Sequence, residues 1–122
     1  MIVFDSYAWF EYFLEGETGD AVEKFVEDST ELIVTPALVF YEVKNKLMRE
    51  NKPFQKWIDF MLARSVVEPL SAEIALSAAD LRKKYRLKTS DAFIYATALH
   101  KKCKLLTGDQ QLKLLPSVEV LE

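Results

Sequence analysis

The segment MIVFDSYAWFEYFL, residues 1–14, contains the pattern from which the fold can be predicted. Its first four residues form a continuous apolar run, which is typical of a strand buried on both faces of a parallel sheet. Asp5 and Ser6 follow this run, and both residue types commonly cap helix N-termini. The aromatic stretch from Tyr7 to Leu14 is therefore predicted to be a helix that stops near Gly16. A buried strand that leads directly into a helix indicates an α/β fold.

The same alternation of strand and helix continues along the rest of the chain. Apolar runs predict further strands, and apolar residues at helical spacing predict the helices between them. The predicted strands are residues 31–35, 65–70, 104–107 and 118–121, and the predicted helices are residues 19–27, 36–49, 54–63, 71–85 and 90–102. No repeat or linker interrupts this order. We therefore predict a single domain over residues 1–122, a three-layer α/β/α sandwich with a central, mainly parallel sheet.

Composition narrows the classes of protein to which the chain can belong. Half of the 122 residues are hydrophobic, but no apolar run approaches the ~20 residues needed to cross a membrane. The N-terminal residues lack the pattern of a signal peptide, and the single Cys103 excludes an internal disulfide. These features predict a cytoplasmic protein that does not use a membrane. The net charge of −3 does not by itself indicate a nucleic-acid-binding protein, although bound metal ions would offset it.

Four acidic residues lie where predicted elements end or meet the core: Asp5, Glu42, Asp91 and Asp109. Asp5 and Asp109 follow strands, and functional groups gather beyond the carboxyl ends of parallel strands. Glu42 lies at the rim of the apolar face of its helix, and Asp91 begins a helix that is apolar nearly all round. Carboxylates brought together repel one another, and a hard divalent cation relieves that repulsion. The set therefore predicts a site for Mg²⁺ or Mn²⁺.

Each of these acids also has an ordinary structural interpretation. Asp5 could be only a helix cap, and Asp109 could be only a turn residue. Glu42 could form a surface ion pair with Lys46 one helical turn later. Asp91 could simply complement the dipole of the helix that it begins. For single residues these interpretations stay open, and the grouping of the four acids favours the metal site.

The segment TSDAFIYATA, residues 89–98, places a carboxylate at the start of a helix predicted to be largely buried. Thr89 and Ser90 could cap that helix with their hydroxyl groups. In that case the Asp91 carboxylate would be free to bind an ion.

The motifs together resemble the PIN domain, and most closely its small VapC-type toxin ribonucleases of prokaryotic toxin–antitoxin pairs. The resemblance rests on Asp5-Ser6 after an apolar strand, on Glu42, on SDAFIYATAL (90–99) and on TGDQQL (107–112), and it covers essentially the whole chain. It implies an endoribonuclease that depends on Mg²⁺ or Mn²⁺ and leaves 5′-phosphate and 3′-hydroxyl ends. It also implies a cognate antitoxin as partner.

Residue by residue, the resemblance implies that the four acids bind the metal and carry the catalysis. Ser6 and Thr107 match hydroxyl positions beside the acids and would orient water or the ligands. The chain departs from the family at Gly108, where a basic residue is frequent, and at Leu112, where an aromatic residue is frequent. The first departure could remove a phosphate contact, and the second affects packing.

Basic residues follow two of the proposed ligands and could track the phosphates of an RNA strand. The candidates are Lys46 and Arg49 after Glu42, together with Arg86 and Lys88 before Asp91. Lysine and arginine at these positions could equally solvate helix ends or complement helix dipoles.

The first predicted helix carries more aromatic residues than one buried face requires: Tyr7, Trp9, Phe10, Tyr12 and Phe13. These rings could form an apolar groove for an antitoxin segment or a homodimer contact. They could also belong to a core that is rich in aromatic side chains.

Two other functions remain to be weighed against a nuclease. A receiver-type phosphoacceptor domain also binds Mg²⁺ at strand ends, but it requires an acidic pair where Asp5 stands alone and a lysine after a late strand. An inert PIN-like module that binds protein or RNA without cleavage is the second alternative. The complete set of four acids argues against it, because an inert scaffold has no need for mutually repelling carboxylates.

Overall fold

The computed structural model describes residues 1–122, which form five strands and six α-helices around one sheet. The strands are β1 (Ile2–Phe4), β2 (Ile33–Pro36), β3 (Val66–Glu68), β4 (Lys104–Thr107) and β5 (Val118–Val120). The helices are α1 (Ser6–Phe13), α2 (Gly19–Glu27), α3 (Ala37–Arg49), α4 (Gln55–Arg64), α5 (Ala72–Tyr85) and α6 (Thr89–His100), and a 3₁₀ turn covers Gln110–Leu112. All neighbouring strands pair in parallel, in the order β3-β2-β1-β4-β5. The predicted α/β fold with a parallel central sheet is confirmed.

The first strand lies at the centre of the sheet, and its register with β4 places the ends of β1 and β4 side by side. Val3 is opposite Leu105, and Phe4 is opposite Leu106. The N–H of Asp5 continues this ladder by donating to the Leu106 carbonyl at 3.3 Å. The residues that follow β1 and β4 therefore emerge at the same edge of the sheet. The strand order also differs from the 2-1-3-4-5 order of receiver-type domains, which removes that alternative.

Helix α6 is the most buried helix of the fold, as its apolar composition predicts. Residues Ala92, Ile94, Tyr95, Ala96, Thr97 and Ala98 are all buried. Its N-cap residue is Lys88, whose side chain makes no capping hydrogen bond. Thr89 and Ser90 lie inside the first turn, so the expectation that their hydroxyls cap this helix is wrong. The Lys88 backbone is extended (φ −64°, ψ 155°), which leaves Asp91 in the first turn.

Most of the aromatic side chains of α1 are packed inside the fold rather than on an open groove. Trp9 is fully buried, and its indole N–H donates to the Thr35 hydroxyl at 3.1 Å. Phe13 stacks on Trp57 of α4 with ring centroids 4.4 Å apart. Tyr7 is the exception, because 43% of its surface is exposed. No helix of the fold combines the length and the apolar composition that crossing a membrane would require.

Candidate functional site

The structure brings the four predicted acids into one electrostatically connected group at the carboxyl edge of the sheet. Asp5 follows β1 and Asp109 follows β4, while Glu42 and Asp91 reach the same region from α3 and α6. The charges of Glu42 and Asp91 both raise the pKa of Asp5. The charge of Asp91 raises the pKa of Glu42, and that of Asp109 raises the pKa of Asp91. Each acid therefore influences, or is influenced by, at least one of the others, although the four are far apart in sequence.

Asp5 is held rigidly because it caps α1. Its Oδ1 atom accepts the N–H of Ala8 at 2.9 Å. This hydrogen bond and the nearby Thr107 side chain both lower the pKa of Asp5. Burial nevertheless dominates and raises the pKa of Asp5 from 3.8 to about 7. Both the capping role and the electrostatic role considered for Asp5 thus occur in one side chain. A carboxylate whose ionised form is disfavoured by burial and by neighbouring carboxylates is a candidate for a functional site.

Glu42 has a carboxylate oxygen with no partner inside the protein. Its Oε1 atom is buried and accepts no hydrogen bond, and the interaction of the carboxylate with the Ser6 side chain does not offset its burial. Burial and the charge of Asp91 raise the pKa of Glu42. The possible surface pair with Lys46 is absent, since Lys46 Nζ instead lies 4.4 Å from the centroid of the Phe10 ring. A buried, unpaired carboxylate oxygen is a costly feature that a bound cation would relieve.

Asp91 is half-buried and lies in the first turn of α6. Its negative charge acts on other carboxylates of the group from there. Burial, followed by the charge of Asp109, raises the pKa of Asp91, and the nearby charge of Lys88 lowers it. The carboxylate accepts no backbone N–H, so capping does not account for its position. The predicted RNA-binding residue Lys88 therefore lies close to the acid group.

Asp109 caps the 3₁₀ turn that follows β4. Its carboxylate accepts the N–H of Gln111 at 2.8 Å, as the turn interpretation expects. Its own N–H donates to the Thr107 hydroxyl at 3.1 Å. Thr107 is buried and thus links Asp109 to Asp5 through one side chain. The two hydroxyl residues predicted beside the acids, Ser6 and Thr107, contact Glu42 and Asp5 respectively.

The donor chemistry of the group fits a hard divalent cation. All four groups are carboxylates, three have raised pKa values, and one has an unpartnered buried oxygen. Mg²⁺ and Mn²⁺ prefer such oxygen ligands together with water. In the conformation observed, however, no three Asp, Glu, His or Cys side chains form a group that could hold a metal ion. The residues fit the ion chemically, while their side chains are not drawn together around one point.

The predicted basic residues fall at different distances from the acids. Lys46 and Arg49 line a cavity of about 320 Å³ that also includes Glu42. Arg86 is exposed at the end of α5, where its backbone is left-handed (φ 57°). No contact joins Arg86 to the acid group.

Two features of the site escaped the sequence analysis. The cavity beside Glu42 also contains the exposed Tyr41 and the side chain of Asn45. The Tyr7 ring lies so close to Gly108 that an added Cβ there would overlap its ring atoms. Gly108 was interpreted as a missing phosphate contact, whereas in the structure its lack of a side chain makes room for Tyr7.

Comparisons with known proteins agree with this geometry. The family profile described as "PIN domain" matches residues 2–117. A toxin–antitoxin complex from Klebsiella pneumoniae contains a similar chain with a TM-score of 0.82 and 21% identity, covering 100% of this chain and 98% of that one. The structure of VapBC2 from Rickettsia felis bound to a promoter DNA fragment has a TM-score of 0.79 and 17% sequence identity, with 100% of both chains covered. The structure of VapC20 from Mycobacterium tuberculosis, a sarcin-ricin loop cleaving toxin, has a TM-score of 0.76 and 16% sequence identity, again with 100% of both chains covered. No curated protein matches the chain.

Proposed function

Because the chain belongs to the PIN-domain family, we propose that it is a metal-dependent endoribonuclease and the toxin of a toxin–antitoxin pair. The observation that carries this proposal is the group of four carboxylates at one edge of the sheet, in which burial and neighbouring carboxylates raise the pKa values of Asp5, Glu42 and Asp91. The toxin–antitoxin proteins of similar fold support the biological role. We further propose that residues 1–122 act as one domain.

In this proposal Asp5, Glu42, Asp91 and Asp109 hold Mg²⁺ or Mn²⁺ and are the catalytic residues. When bound, the ion supplies hydroxide near neutral pH and positive charge for the leaving oxygen. The Asp5 carboxylate is oriented by its hydrogen bond from the Ala8 N–H, and the Asp109 carboxylate by that from the Gln111 N–H. Ser6 and Thr107 orient the carboxylates that they contact.

The reaction is hydrolysis of a phosphodiester bond. A water oxygen forms a bond to phosphorus in line with the bond that breaks, between phosphorus and the 3′ oxygen. The displaced 3′ oxygen takes up a proton, and the products carry 5′-phosphate and 3′-hydroxyl ends. The acid group carries negative charge, so a cation held there would strengthen the binding of phosphate beside it.

Positive side chains near the acids would hold the RNA strand. Lys88 supports this part of the proposal because its charge already acts on Asp91. Lys46 and Arg49 are exposed beside Glu42 and take part in no ion pair. Arg86 would contact the strand further from the reaction, from the end of α5.

Two protein partners are also proposed, a cognate antitoxin and a second copy of the chain. The antitoxin is suggested by the complexes in which similar folds occur. The homodimer is suggested by apolar side chains left on the surface near α5, where Leu70 is 50% exposed and Leu76 is 71% exposed.

The experiment that tests the function is cleavage of total RNA by the purified protein with Mn²⁺, compared with EDTA. The Asp91→Asn variant removes one charge from the acid group, and Asp80→Asn removes one from an exposed position on α5 as the matched control. We expect discrete fragments that require metal, persist in the control and disappear in Asp91→Asn. Identical fragments from both variants would show that the cleavage comes from another enzyme.

The arrangement of the carboxylates keeps one alternative open to this test. That alternative is an inert PIN-like module that binds protein or RNA without cleavage. Such a module would bind RNA equally with EDTA and with Mn²⁺, and it would not cleave it under either condition.

A further inference from the structure

The cavity between α1 and α3 has the composition of a pocket for one nucleotide. It holds about 320 Å³, which is at the lower end of the ~300–1,000 Å³ typical of small-ligand pockets. Tyr7 and Tyr41 line it together with Asn45, Arg49 and Glu42. We propose that this cavity binds a single unpaired nucleobase of the RNA, stacked on the tyrosine rings. This inference rests on the proposed function and adds to it the residues that would contact one base of the RNA.

The two tyrosine rings are free to stack on a base. Tyr7 is 43% exposed and Tyr41 is 65% exposed, although most aromatic rings of the molecule are packed inside it. Neither ring pairs with another aromatic ring, whereas the other four aromatic residues of α1 all do. Exposed aromatic faces beside a positive surface are the usual means of binding single strands, because every base has a face that can stack.

Tyr7 is also held in place, which makes it a rigid wall of the pocket. Its ring fills the space that a side chain at position 108 would need. Glu11 interacts with the Tyr7 hydroxyl, and this interaction, together with burial, raises the pKa of Tyr7. A ring that is already fixed loses little conformational entropy when a base stacks on it.

The polar groups of the cavity suit the rest of a nucleotide. The Asn45 amide is half-buried and makes no hydrogen bond within the protein, so it can donate to and accept from a base edge. Arg49 and Lys46 are exposed and bind no carboxylate, and together they outnumber the single acid of the cavity, Glu42. A phosphate attached to the bound base would therefore meet net positive charge.

The position of the cavity connects it to the acid group. Tyr41 directly precedes Glu42 on α3, and Tyr7 directly follows Ser6, whose side chain contacts Glu42. Because Ser6 and Glu42 line the same cavity as the two tyrosines, a base bound there would lie beside Glu42 and its phosphate would be near the acid group. A base inside a duplex is already stacked and paired and could enter only by being flipped out, so the pocket favours unpaired RNA.

The largest cavity of the molecule does not compete for this role. It holds about 670 Å³ between α1 and α2, and it is lined by Glu15, Asp20 and Glu23. Its negative charge would repel RNA, and none of the four proposed metal ligands lines it.

The first test measures binding without cleavage. A fluorescent eight-nucleotide single-stranded RNA and its duplex are titrated with the full chain in EDTA, and anisotropy is recorded. We expect Tyr41→Ala to weaken single-strand binding by roughly 5- to 100-fold, the factor that one stacked base contributes. Tyr41→Phe keeps the ring and should bind like wild type, and Lys24→Ala on α2 is the control for a general charge effect. Unchanged binding by Tyr41→Ala would overturn the proposal.

The second test locates the base in the pocket. Each position of the same RNA is replaced in turn by an abasic nucleotide, and affinity is measured for the wild type and for Tyr41→Ala. We expect one position whose base matters to the wild type and no longer matters to the variant. A base requirement of the same size in both proteins would overturn the proposal, because Tyr41 would then not contact that base.

These tests separate the pocket from the nuclease activity. If RNA is bound with Tyr41-dependent base recognition but never cleaved, the result supports the proposed nucleobase pocket and contradicts the proposed nuclease function. If wild type and Tyr41→Ala cleave RNA with the same KM, the result supports the proposed nuclease function and contradicts the proposed nucleobase pocket.

Discussion

The Asp5 carboxyl group combines a structural role with a charge that the fold disfavours. It caps α1 through Ala8, yet burial raises its pKa from 3.8 to about 7. Its protonated form is therefore favoured in the folded protein relative to the unfolded chain. The resulting stability is fully present below about pH 4 and is lost as the pH rises through about 7. The pKa values of Glu42 and Asp91 are also raised, so their effects have the same sign.

We therefore predict that the metal-free protein becomes less stable between pH 5 and pH 8. The difference of about three pKa units sets an upper limit of about 4 kcal/mol for the contribution of Asp5. Urea denaturation in EDTA across this range measures the loss. Asp5→Asn should flatten the pH dependence, whereas Asp80→Asn, at an exposed position, should leave it unchanged. A wild type whose stability rises over this range would contradict the prediction.

The contact between Gly108 and Tyr7 leads to a second prediction at the scale of single residues. Gly108 does not have a positive φ, so space rather than backbone conformation excludes a side chain. We predict that Gly108→Ala destabilises the protein by about 1–3 kcal/mol, as overpacking usually does. In a Tyr7→Ala background the same change should have almost no effect. Denaturation of the four proteins in this cycle measures the coupling. Equal destabilisation in both backgrounds would show that the backbone, and not the ring, is responsible.

At the scale of elements, the boundaries of helices and strands were largely predictable and the side-chain pairings were not. Local apolar patterns give α2 and β4 with their observed bounds. The possible ion pair between Glu42 and Lys46 is wrong because the Phe10 ring, from another helix, attracts the ammonium group. The wall that Tyr7 forms against Gly108 was likewise invisible, since it depends on how α1 meets the turn after β4. The position of Asp5 and Asp109 at one edge of the sheet was predictable, because the ends of neighbouring parallel strands meet there.

Arg64 joins two elements that are distant in sequence, and this leads to a prediction about the packing of helices. At the end of α4 its guanidinium donates to the backbone carbonyls of Phe25, Val26, Asp28 and Glu31, at 2.7–3.2 Å. Those carbonyls lie at the C-terminal end of α2 and just beyond it, where backbone acceptors lack helical partners. We predict that Arg64→Lys lowers the free energy of unfolding by about 2 kcal/mol, because an ammonium group cannot reproduce the planar arrangement of donors.

Thermal or urea denaturation measures this loss, and Arg82→Lys provides the matched control. Arg82 is exposed on α5 and donates no hydrogen bond, so its replacement should change stability by less than about 0.5 kcal/mol. Equal stabilities for the two lysine variants would show that the four carbonyl contacts contribute nothing. RNA cleavage should survive Arg64→Lys below its melting temperature, because α4 supplies none of the acids.

At the scale of the whole molecule, the sheet topology imposes a conflict that a cation would remove. The parallel order β3-β2-β1-β4-β5 brings the ends of β1 and β4 together, and α3 and α6 add their acids at the same edge. The net charge of −3 includes these four carboxylates, so the rest of the chain contributes a formal charge of only +1 and does not neutralise the group. Folding thus brings mutually repelling carboxylates to one edge of the sheet. A bound cation would remove this repulsion, and the free energy regained would strengthen metal binding.

We therefore predict that Mg²⁺ stabilises the folded protein at pH 7.5. Since the unfolded chain does not gather the four acids, an ion at 100 times its dissociation constant adds about 2.7 kcal/mol. Melting temperature is measured against Mg²⁺ concentration for wild type, Asp91→Asn and Asp80→Asn. We expect a saturating rise in the wild type and in the Asp80 control, and a much weaker rise in the Asp91 variant. Both variants carry the same net charge, so general ionic screening would raise their melting temperatures equally. That result would contradict a metal site built on Asp91, whatever the RNA assays show.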